Sequence, residues 1–346
     1  MAKLALTFYS VLRMPIADIL QCARAAEEAG FGFISVAESF YRDGAALAAA
    51  IACNTRTIRL GTSVFPIYTQ TPFQLAMAMA TLDELSSGRM GHLGLGLGYR
   101  NRTEDYFGIK IERPLERMRE YVDISRRLLA GDETGYQGEF FRFKTFPKLA
   151  GLPLHIPIYF GSSGAKMLSL AGEVADGVIL NSLVTPAHIR QAKALMQQGA
   201  VRAGRDSSGL SIAASVIYAV ADGAGEAAAA AKEDVLFYLG YPEINPILEH
   251  AGVMGEAEAI RRAHREHGKA AALQLITPRM LDHLAIYGSA ERCRARLREV
   301  IEAGLDVPII RVSNVPYAET EKNQCFCGPL RAYETSNTGG EACHIG

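Results

Sequence analysis

Residues 57–99 read TIRLGTSVFPIYTQTPFQLAMAMATLDELSSGRMGHLGLGLGY, and this stretch decides the fold. Two largely aliphatic runs, Thr57–Val64 and Met90–Leu97, flank a helical pattern over Phe73–Leu85. A strand, a helix and a second strand in this order form a βαβ unit with parallel strands. The carboxyl ends of both strands therefore lie on one face, where (β/α)₈ barrels carry their active-site loops.

The same alternation of strands and helices runs along most of the chain. Besides the two runs above, strands are predicted at Leu4–Tyr9, Phe33–Ala37, Ile156–Phe160, Gly177–Leu180, Leu210–Val220 and Val307–Val312. Helical patterns separate most of them. Strands that alternate with helices in this number favour an α/β fold, a single closed (β/α)₈ TIM barrel with insertions, over an open doubly wound sheet.

The predicted barrel domain covers residues 1–316 and carries one large insertion. Prolines and glycines interrupt the helical pattern at about residues 241–279, and we expect this insertion to cover a pocket. Residues 135–143 are predicted to form a hairpin outside the barrel. Residues 317–346 are a polar C-terminal tail without periodicity. Its cysteines fit no common zinc-binding spacing, so we predict no metal.

Composition excludes several classes of partner. The 346 residues include 36 basic and 37 acidic side chains, so no strong net field attracts nucleic acid or an anionic membrane. No apolar run reaches the roughly 20 residues that span a bilayer. Six cysteines are scattered, and those inside helical patterns are typical of small buried side chains. We therefore expect a reduced, cytoplasmic protein that binds a small molecule.

Four segments resemble, in chain order, the bacterial luciferase-like superfamily. They are residues 27–39 (EEAGFGFISVAES), 55–98, 157–181 (PIYFGSSGAKMLSLAGEVADGVILN) and 287–312 (YGSAERCRARLREVIEAGLDVPIIRV). Within that superfamily the chain looks like the branch of F420-dependent methylenetetrahydromethanopterin reductases. The resemblance implies a barrel that binds the deazaflavin coenzyme F420 and forms a homodimer.

The resemblance also implies where the cofactor lies. In the F420-binding branch, the bond that matches Ser63–Val64 is a non-proline cis peptide whose bulge supports the middle of the deazaflavin ring. Gly161-Ser162-Ser163-Gly164 precedes a helix, and small residues let successive backbone N–H groups point at one anion. This segment matches the family's phosphate site, with Lys166 nearby. Read without the family, it is equally a tight turn that begins a helix.

The glycines of the fourth predicted strand do not form a dinucleotide fingerprint, because GxGxxG is absent from Gly94-Leu95-Gly96-Leu97-Gly98. Alternate glycines leave room for a planar ring near the backbone, and they equally suit a crowded barrel interior. We include Gly96, Leu97 and Gly98 in the predicted cofactor-binding set. Ser39 and Asn101 complete that set.

Glu38 and Tyr99 are the candidate catalytic residues. Many F420-dependent relatives have an acidic residue and then histidine where this chain has Glu38-Ser39, and alcohol-oxidising relatives have a carboxylate where it has Tyr99. Oxidation of an alcohol needs a nearby base, so the departures favour a reductase. Tyr99 either donates a hydrogen bond or proton, or forms an aromatic wall. Glu38 either accepts a hydrogen bond from the ring system or is buried and paired.

Three functions stay open from the sequence. The leading one is an F420-dependent oxidoreductase, in which hydride passes between the deazaflavin C5 and an unsaturated small molecule. The second is a luciferase-like monooxygenase that uses reduced FMN and oxygen, and the third is a cofactor-binding relative without turnover. Arg100 and Arg102 are further expected to attract the polyglutamyl tail of F420.

Overall fold

The computed structural model describes residues 4–8, 14–38 and 41–312. The predicted tail and Ser39 lie outside these ranges. The strands are β1 (Ala5–Thr7), β2 (Phe33–Val36), β3 (Arg59–Thr62), β4 (Phe65–Pro66), β5 (Met90–Gly96), β6 (Thr134–Gln137), β7 (Arg142–Thr145), β8 (Ile158–Gly161), β9 (Gly177–Leu180), β10 (Ser211–Val220), β11 (Ile286–Gly288) and β12 (Val307–Val312).

Helices lie between most of these strands. They are α1 (Ile16–Glu28), α2 (Gly44–Asn54), α3 (Pro72–Leu85), α4 (Arg100–Phe107), α5 (Pro114–Ala130), α6 (Ala165–Val174), α7 (Pro186–Arg202), α8 (Ala224–Leu239), α9 (Asn245–His250), α10 (Met254–His267), α11 (Lys269–Leu275), α12 (Pro278–Leu284) and α13 (Ala290–Glu302). A short 3₁₀ helix, Pro242–Ile244, precedes α9. Within the described residues, no helix is both long and apolar enough to cross a bilayer.

Eight parallel strands close the barrel in the order β1, β2, β3, β5, β8, β9, β10, β12 and back to β1. Closure is visible in the register, because Ala5 of β1 pairs with both Phe33 of β2 and Ile309 of β12. The predicted fold class is confirmed. Two short strands were not predicted: β4, which pairs with β5, and β11, which pairs with the end of β10.

Local sequence signals explain why α3 forms where it does. Thr71 and Gln74 make a reciprocal capping box, and Pro72 occupies the first turn, where its missing N–H costs nothing. The helix then buries Leu75 and Met79 against the barrel. This helix is the crossover between β3 and β5, which are neighbouring parallel strands of the barrel.

The side chains inside the barrel differ between the amino ends and the carboxyl ends of the strands. Near the amino ends of the strands the rings of Phe33 and Tyr159 pack around His92, with centroids 5.8 and 5.1 Å from the imidazole. Near the carboxyl ends, the alternation of side chains turns small or polar residues inward, among them Gly96 and Ser215. The top of the barrel is therefore left open for a ligand.

The predicted insertion folds into a helical segment that lies over this open end. We call residues 241–284 the cover; it contains the 3₁₀ helix and α9–α12. Its apolar residues form a second hydrophobic core with α8 and the upper part of β10, which includes Ile217, Ile244, Ile247 and Leu248. The cover is thus packed onto the barrel through its own core.

Candidate active site

A cavity of about 790 Å³ opens at the carboxyl ends of the barrel strands, beneath the cover. Most of the predicted site residues line it: Glu38, Ser63, Val64, Gly96, Leu97, Gly98, Tyr99, Gly161, Ser162, Ser163, Gly164 and Lys166. The structure therefore brings together residues that are up to 128 positions apart in the sequence. The volume of the cavity suits a cofactor or a small substrate.

Val64 forms part of the floor of this cavity. The Ser63–Val64 peptide bond is cis, as the resemblance implies. A Cβ atom built on Gly96 would lie 2.4 Å from Val64 Cγ2, and one on Gly161 would lie 2.7 Å from Val64 Cγ1. Both distances are shorter than real Cβ contacts. Glycines at 96 and 161 are therefore required because the Val64 side chain lies between them.

The neighbouring glycines of β5 serve the barrel as well as the cavity. A Cβ on Gly94 would lie 2.1 Å from the backbone oxygen of Thr62, so this glycine is needed for the close approach of β3 and β5. Gly98 has a φ of +77°, which lets the chain turn from β5 toward α4. Of the two explanations for this glycine pattern, the crowded barrel interior applies to Gly94, and room beside the cavity applies to Gly96.

The segment Gly161–Gly164, which we call the cradle, has the features of an anion site. Two of its N–H groups are bonded within the protein, that of Ser162 to the Ile179 carbonyl and that of Gly164 to Ser162 Oγ, both at 3.2 Å. The backbone donors left for an anion are the first N–H groups of α6, which begins directly afterwards without a side-chain hydrogen bond at its N-cap and whose first residues line the cavity.

The hydroxyl of Ser163 completes the cradle. It is buried and, among the described residues, has no hydrogen-bond partner. A buried hydroxyl without a partner is costly unless a ligand supplies one. The exposed Lys166 lies beside it on the cavity wall. Backbone donors, a free hydroxyl and an ammonium group together fit a phosphate group of a bound cofactor.

The two catalytic candidates have partners within the protein. Glu38 Oε2 accepts a hydrogen bond from the backbone N–H of Gly44 at 2.9 Å, at the start of α2. The Tyr99 ring stacks on the Tyr241 ring with centroids 3.9 Å apart. Both side chains still line the cavity. Their contacts match the simpler roles, a paired carboxylate and an aromatic wall.

Three predicted binding residues do not reach the cavity. Asn101 is exposed on α4, where its side chain accepts from the Arg102 N–H at 2.8 Å, and it is not among the lining residues. Arg102 is only 6% exposed, so the expectation that it attracts a polyglutamyl tail is wrong. Arg100 is exposed but forms an ion pair with Glu104 at 2.6 Å.

Arg102 instead joins α4 to the cover. Its guanidinium carbon lies 5.8 Å from the Tyr99 ring centroid and 5.2 Å from that of Tyr241, and it donates a hydrogen bond to the Tyr241 hydroxyl. Glu243 Oε1 accepts from the Arg100 N–H at 3.0 Å, where a carboxylate complements the positive end of α4. Helix α4 was not predicted from the sequence, because its segment is polar and lacks a helical pattern.

A row of hydroxyl groups on β9, β10 and α8 also lines the cavity and was not predicted. Ser182 Oγ lies 2.6 Å from the Tyr238 hydroxyl and 2.9 Å from Ser215 Oγ. Burial raises the pKa of Tyr238, while the charge of Arg311 acts in the opposite direction. These serines belong to no motif: Ser182 comes two residues after the predicted strand Gly177–Leu180, and Ser215 lies inside the predicted strand Leu210–Val220.

Fold and site together define a (β/α)₈ barrel enzyme with a large cavity at the carboxyl ends of its strands. The family model described as luciferase-like monooxygenase matches residues 5–307. The chain belongs to this family. The predicted family membership is therefore confirmed, and so is the prediction that the chain is an oxidoreductase.

Two archaeal relatives are similar over most of their length. The 5,10-methylenetetrahydromethanopterin reductase of Methanolobus tindarius is 34% identical over 295 residues, which are 84% of this chain and 89% of that protein. The enzyme of the same name from Archaeoglobus fulgidus is 33% identical over 287 residues, 81% of this chain and 85% of that one.

Two solved structures share the fold. The coenzyme F420-dependent tetrahydromethanopterin reductase of Methanopyrus kandleri has a TM-score of 0.83 at 24% identity, covering 96% of this chain and 98% of that chain. An F420-dependent secondary alcohol dehydrogenase in complex with an F420–acetone adduct has a TM-score of 0.75 at 19% identity, with the same coverage.

Proposed function

We propose that this protein is a coenzyme F420-dependent reductase that acts on an unsaturated small molecule. The observation that carries the proposal is a single cavity in which a glycine-flanked floor at Val64 adjoins an anion cradle at Gly161–Gly164. A flat redox ring and its phosphate need these two surfaces side by side. The 34% identity to a reductase over most of the chain supports the same activity.

The residues present fit F420 in the following way. Val64, held between Gly96 and Gly161, would support the ring, and the cradle with Lys166 would hold the phosphate. When bound in reduced form, this cofactor supplies a hydride. The protein orients the ring, excludes water beneath the cover and leaves the other side of the cavity for the substrate.

Two features support reduction over oxidation of an alcohol. Ser39 stands where many F420-dependent relatives have histidine, and a serine is a poor base near neutral pH. Tyr99 stands where alcohol-oxidising relatives have a carboxylate, and its ring is stacked on Tyr241. Glu38, the residue before Ser39, already accepts a backbone hydrogen bond from Gly44. Homodimer formation and a cytoplasmic location stay predictions.

Cofactor titration tests the proposal. The full chain, stripped of ligands, is titrated separately with F420 and with FMN, and oxygen uptake is followed after reduction of each. We expect F420 to bind with at least tenfold higher affinity and no rapid oxygen consumption. Tight FMN binding with oxygen uptake, and no F420 binding, would replace the proposal by the monooxygenase function. F420 binding without reduction of any acceptor would indicate a relative without turnover.

A cradle variant shows whether the cofactor sits as proposed. Ser163→Ala removes the unpaired hydroxyl without adding an atom, and we expect F420 affinity to fall about tenfold, since hydrogen bonds to charged groups contribute about 1.5–3 kcal/mol. Ser125→Ala is the matched control, because Ser125 is a buried serine of α5 bonded to its own helix at Tyr121. Equal F420 affinity in both variants would place the phosphate elsewhere.

A further inference from the structure

Asn181 brings a side-chain amide to the cavity wall. It directly follows β9 and lines the cavity at the carboxyl end of that strand. Its Oδ1 accepts a hydrogen bond from the Ser182 N–H at 2.6 Å. Because a backbone N–H can only donate, this bond identifies the oxygen of the amide and leaves the NH₂ group on its other branch. The backbone therefore sets the orientation of the amide.

The NH₂ group of Asn181 is a pair of donors without an acceptor. It forms no hydrogen bond with any residue that the structure describes, and Asn181 is partly exposed where it lines the cavity. The neighbouring hydroxyls of Ser182, Ser215 and Tyr238 differ, because they bond one another. A donor whose orientation is already fixed loses little entropy on binding. Asn181 can therefore hold an acceptor atom of a ligand.

The position of Asn181 favours the substrate as that ligand. In the closed ring of eight strands, β9 is three places from β3, whose end leads to the proposed cofactor floor at Val64. Leu180, the residue before Asn181, pairs with Ala214 of β10, on the side that packs against the cover. The cradle at the end of β8 has its own donors for the phosphate. A substrate lying on the cofactor would thus contact the wall that carries Asn181.

Charge decides which acceptor this wall takes. The charged residues that line the cavity are Lys166 beside the cradle and the carboxylates Glu38, Glu116 and Glu243. Among the described lining residues, no second side chain carries a positive charge once a phosphate is bound next to Lys166. Glu243 Oε2 is also buried without a hydrogen-bond partner in the described part of the chain. A second anion would be repelled by the carboxylates, whereas an uncharged oxygen would not.

We propose that Asn181 is a specificity-determining residue that binds an uncharged acceptor oxygen of the substrate. Ketone, ester and amide carbonyl groups belong to this class, and carboxylates are disfavoured. The inference rests on the proposed function, which places the cofactor ring at Val64 and its phosphate in the cradle. Asn181 takes no part in hydride transfer. It orients the substrate by holding the oxygen.

Acetophenone and benzoate test the subsite, because they are a ketone and a carboxylate of nearly the same shape. Each is titrated into the full chain in phosphate buffer, which fills the cradle, and binding is followed by saturation-transfer NMR. We expect wild type to bind acetophenone at least tenfold more tightly than benzoate. The infrared carbonyl band of bound acetophenone should move to lower frequency, as it does when a ketone accepts a hydrogen bond.

Asn181→Asp keeps the oxygen that accepts from Ser182 and replaces the NH₂ group by a charged oxygen. We expect acetophenone affinity to fall at least tenfold and the shift of the carbonyl band to be lost. Asn181→Leu removes the donor without adding charge and should lower the affinity about fivefold. Asn101→Asp is the matched control, since Asn101 Oδ1 likewise accepts from the next N–H, that of Arg102, at 2.8 Å, and Asn101 does not line the cavity.

Several results would overturn the proposal, once thermal melts have verified that each variant is folded. They are no acetophenone binding by wild type, equal acetophenone affinity in wild type and Asn181→Asp, equal losses in Asn181→Asp and Asn101→Asp, and benzoate binding as tight as that of acetophenone. A tenfold loss of F420 affinity in Asn181→Leu would also overturn it, by assigning Asn181 to the cofactor. If wild type binds no F420 while acetophenone binding still depends on Asn181, the subsite stands and the reductase function fails.

Discussion

The two walls of the cavity are built in different ways. The cradle wall, formed by β3, β5, β8 and α6, consists of backbone and glycine, and its geometry follows from how closely Val64, Gly96 and Gly161 approach one another. The cover wall, formed by β10, α8 and the cover, consists of side chains such as Tyr238 and Tyr241 that meet through hydrogen bonds and ring contacts. The shape of the cradle wall depends on close contacts that leave no room for larger side chains. The shape of the cover wall depends on hydrogen bonds and ring contacts between side chains. A single substitution in the cradle wall should therefore cause a large loss in the free energy of unfolding, and one in the cover wall a smaller loss.

Gly94→Ala should have the largest effect on stability. Its Cβ would lie 2.1 Å from a backbone oxygen of Thr62, which cannot move without shifting β3. Overpacking of this kind costs up to about 3 kcal/mol. Loss of the Thr62 hydroxyl hydrogen bonds to the Gly94 N–H and carbonyl, at 2.7 and 3.1 Å, adds about 1 kcal/mol. Urea unfolding should show a total loss of about 4 kcal/mol.

Gly255→Ala is the control from the other wall. Gly255 lies in the first turn of α10, and a Cβ there would meet no atom within 4 Å. Since alanine favours a helix over glycine, we expect a gain of about 0.5 kcal/mol. If both glycine variants lost similar amounts, the contrast between the two walls would be wrong.

Acid should destabilise the fold through two buried histidines, one beneath the cradle wall and one packed against the cover. His92 lies beneath the cradle wall and His188 on α7, with its ring centroid 5.7 Å from that of His250 in the cover. Burial lowers the pKa of each to about 4 from 6.5, with a smaller contribution from the charge of His250 at His188. The folded chain therefore binds these protons more weakly than the unfolded chain does.

The sign of the pH dependence follows from these pKa values. The stability contributed by the two neutral histidines is complete above about pH 6.5 and is lost as the pH falls toward 4. At about 1.4 kcal/mol per pKa unit, each histidine should cost about 3 kcal/mol at pH 4. Denaturant unfolding between pH 7 and 4 measures this. His92→Leu and His188→Leu should each reduce the slope of the free energy of unfolding against pH. An unchanged slope in the double variant would exclude the histidines as the cause of the pH dependence.

Tyr241→Phe should cause the smallest loss of stability among these changes. It keeps the ring stacked on Tyr99 and removes only the hydroxyl that accepts from Arg102. We expect a loss of about 1.5 kcal/mol in the free energy of unfolding, at the low end for a hydrogen bond to a charged group. F420 affinity should stay within twofold, because the cradle wall is untouched. Tyr218→Phe is the control, and a larger effect there than at Tyr241 would contradict the proposed role of the hydroxyl.

The sequence was sufficient for the barrel and for the cradle wall because the signals there are local. The alternation of strands and helices, the capping box at Thr71 and the small residues of 161–164 each lie within a few positions of the structure they determine. With the family resemblance, even the Ser63–Val64 bond could be predicted.

The cover wall could not be predicted in the same way. Ser182, Ser215, Tyr238 and Arg311 span 129 positions, and none belongs to a motif. Their meeting depends on the register between β9, β10 and β12 and on how α8 packs against them. Helix α4 was missed for a related reason. Its polar segment has little helical pattern of its own, and contacts from Tyr241 and Glu243 hold it in place.

The contacts around Arg102 have a consequence for how the cavity admits a ligand. Moving the cover away from the barrel would separate Tyr241 from Tyr99 and take the Tyr241 ring and hydroxyl away from the buried guanidinium of Arg102. It would also break the hydrogen bond from the first N–H of α4, that of Arg100, to Glu243. Opening of the cover and fraying of α4 are therefore a single cooperative event, so the amide hydrogen of Arg100 should exchange with solvent at the frequency with which the cavity opens.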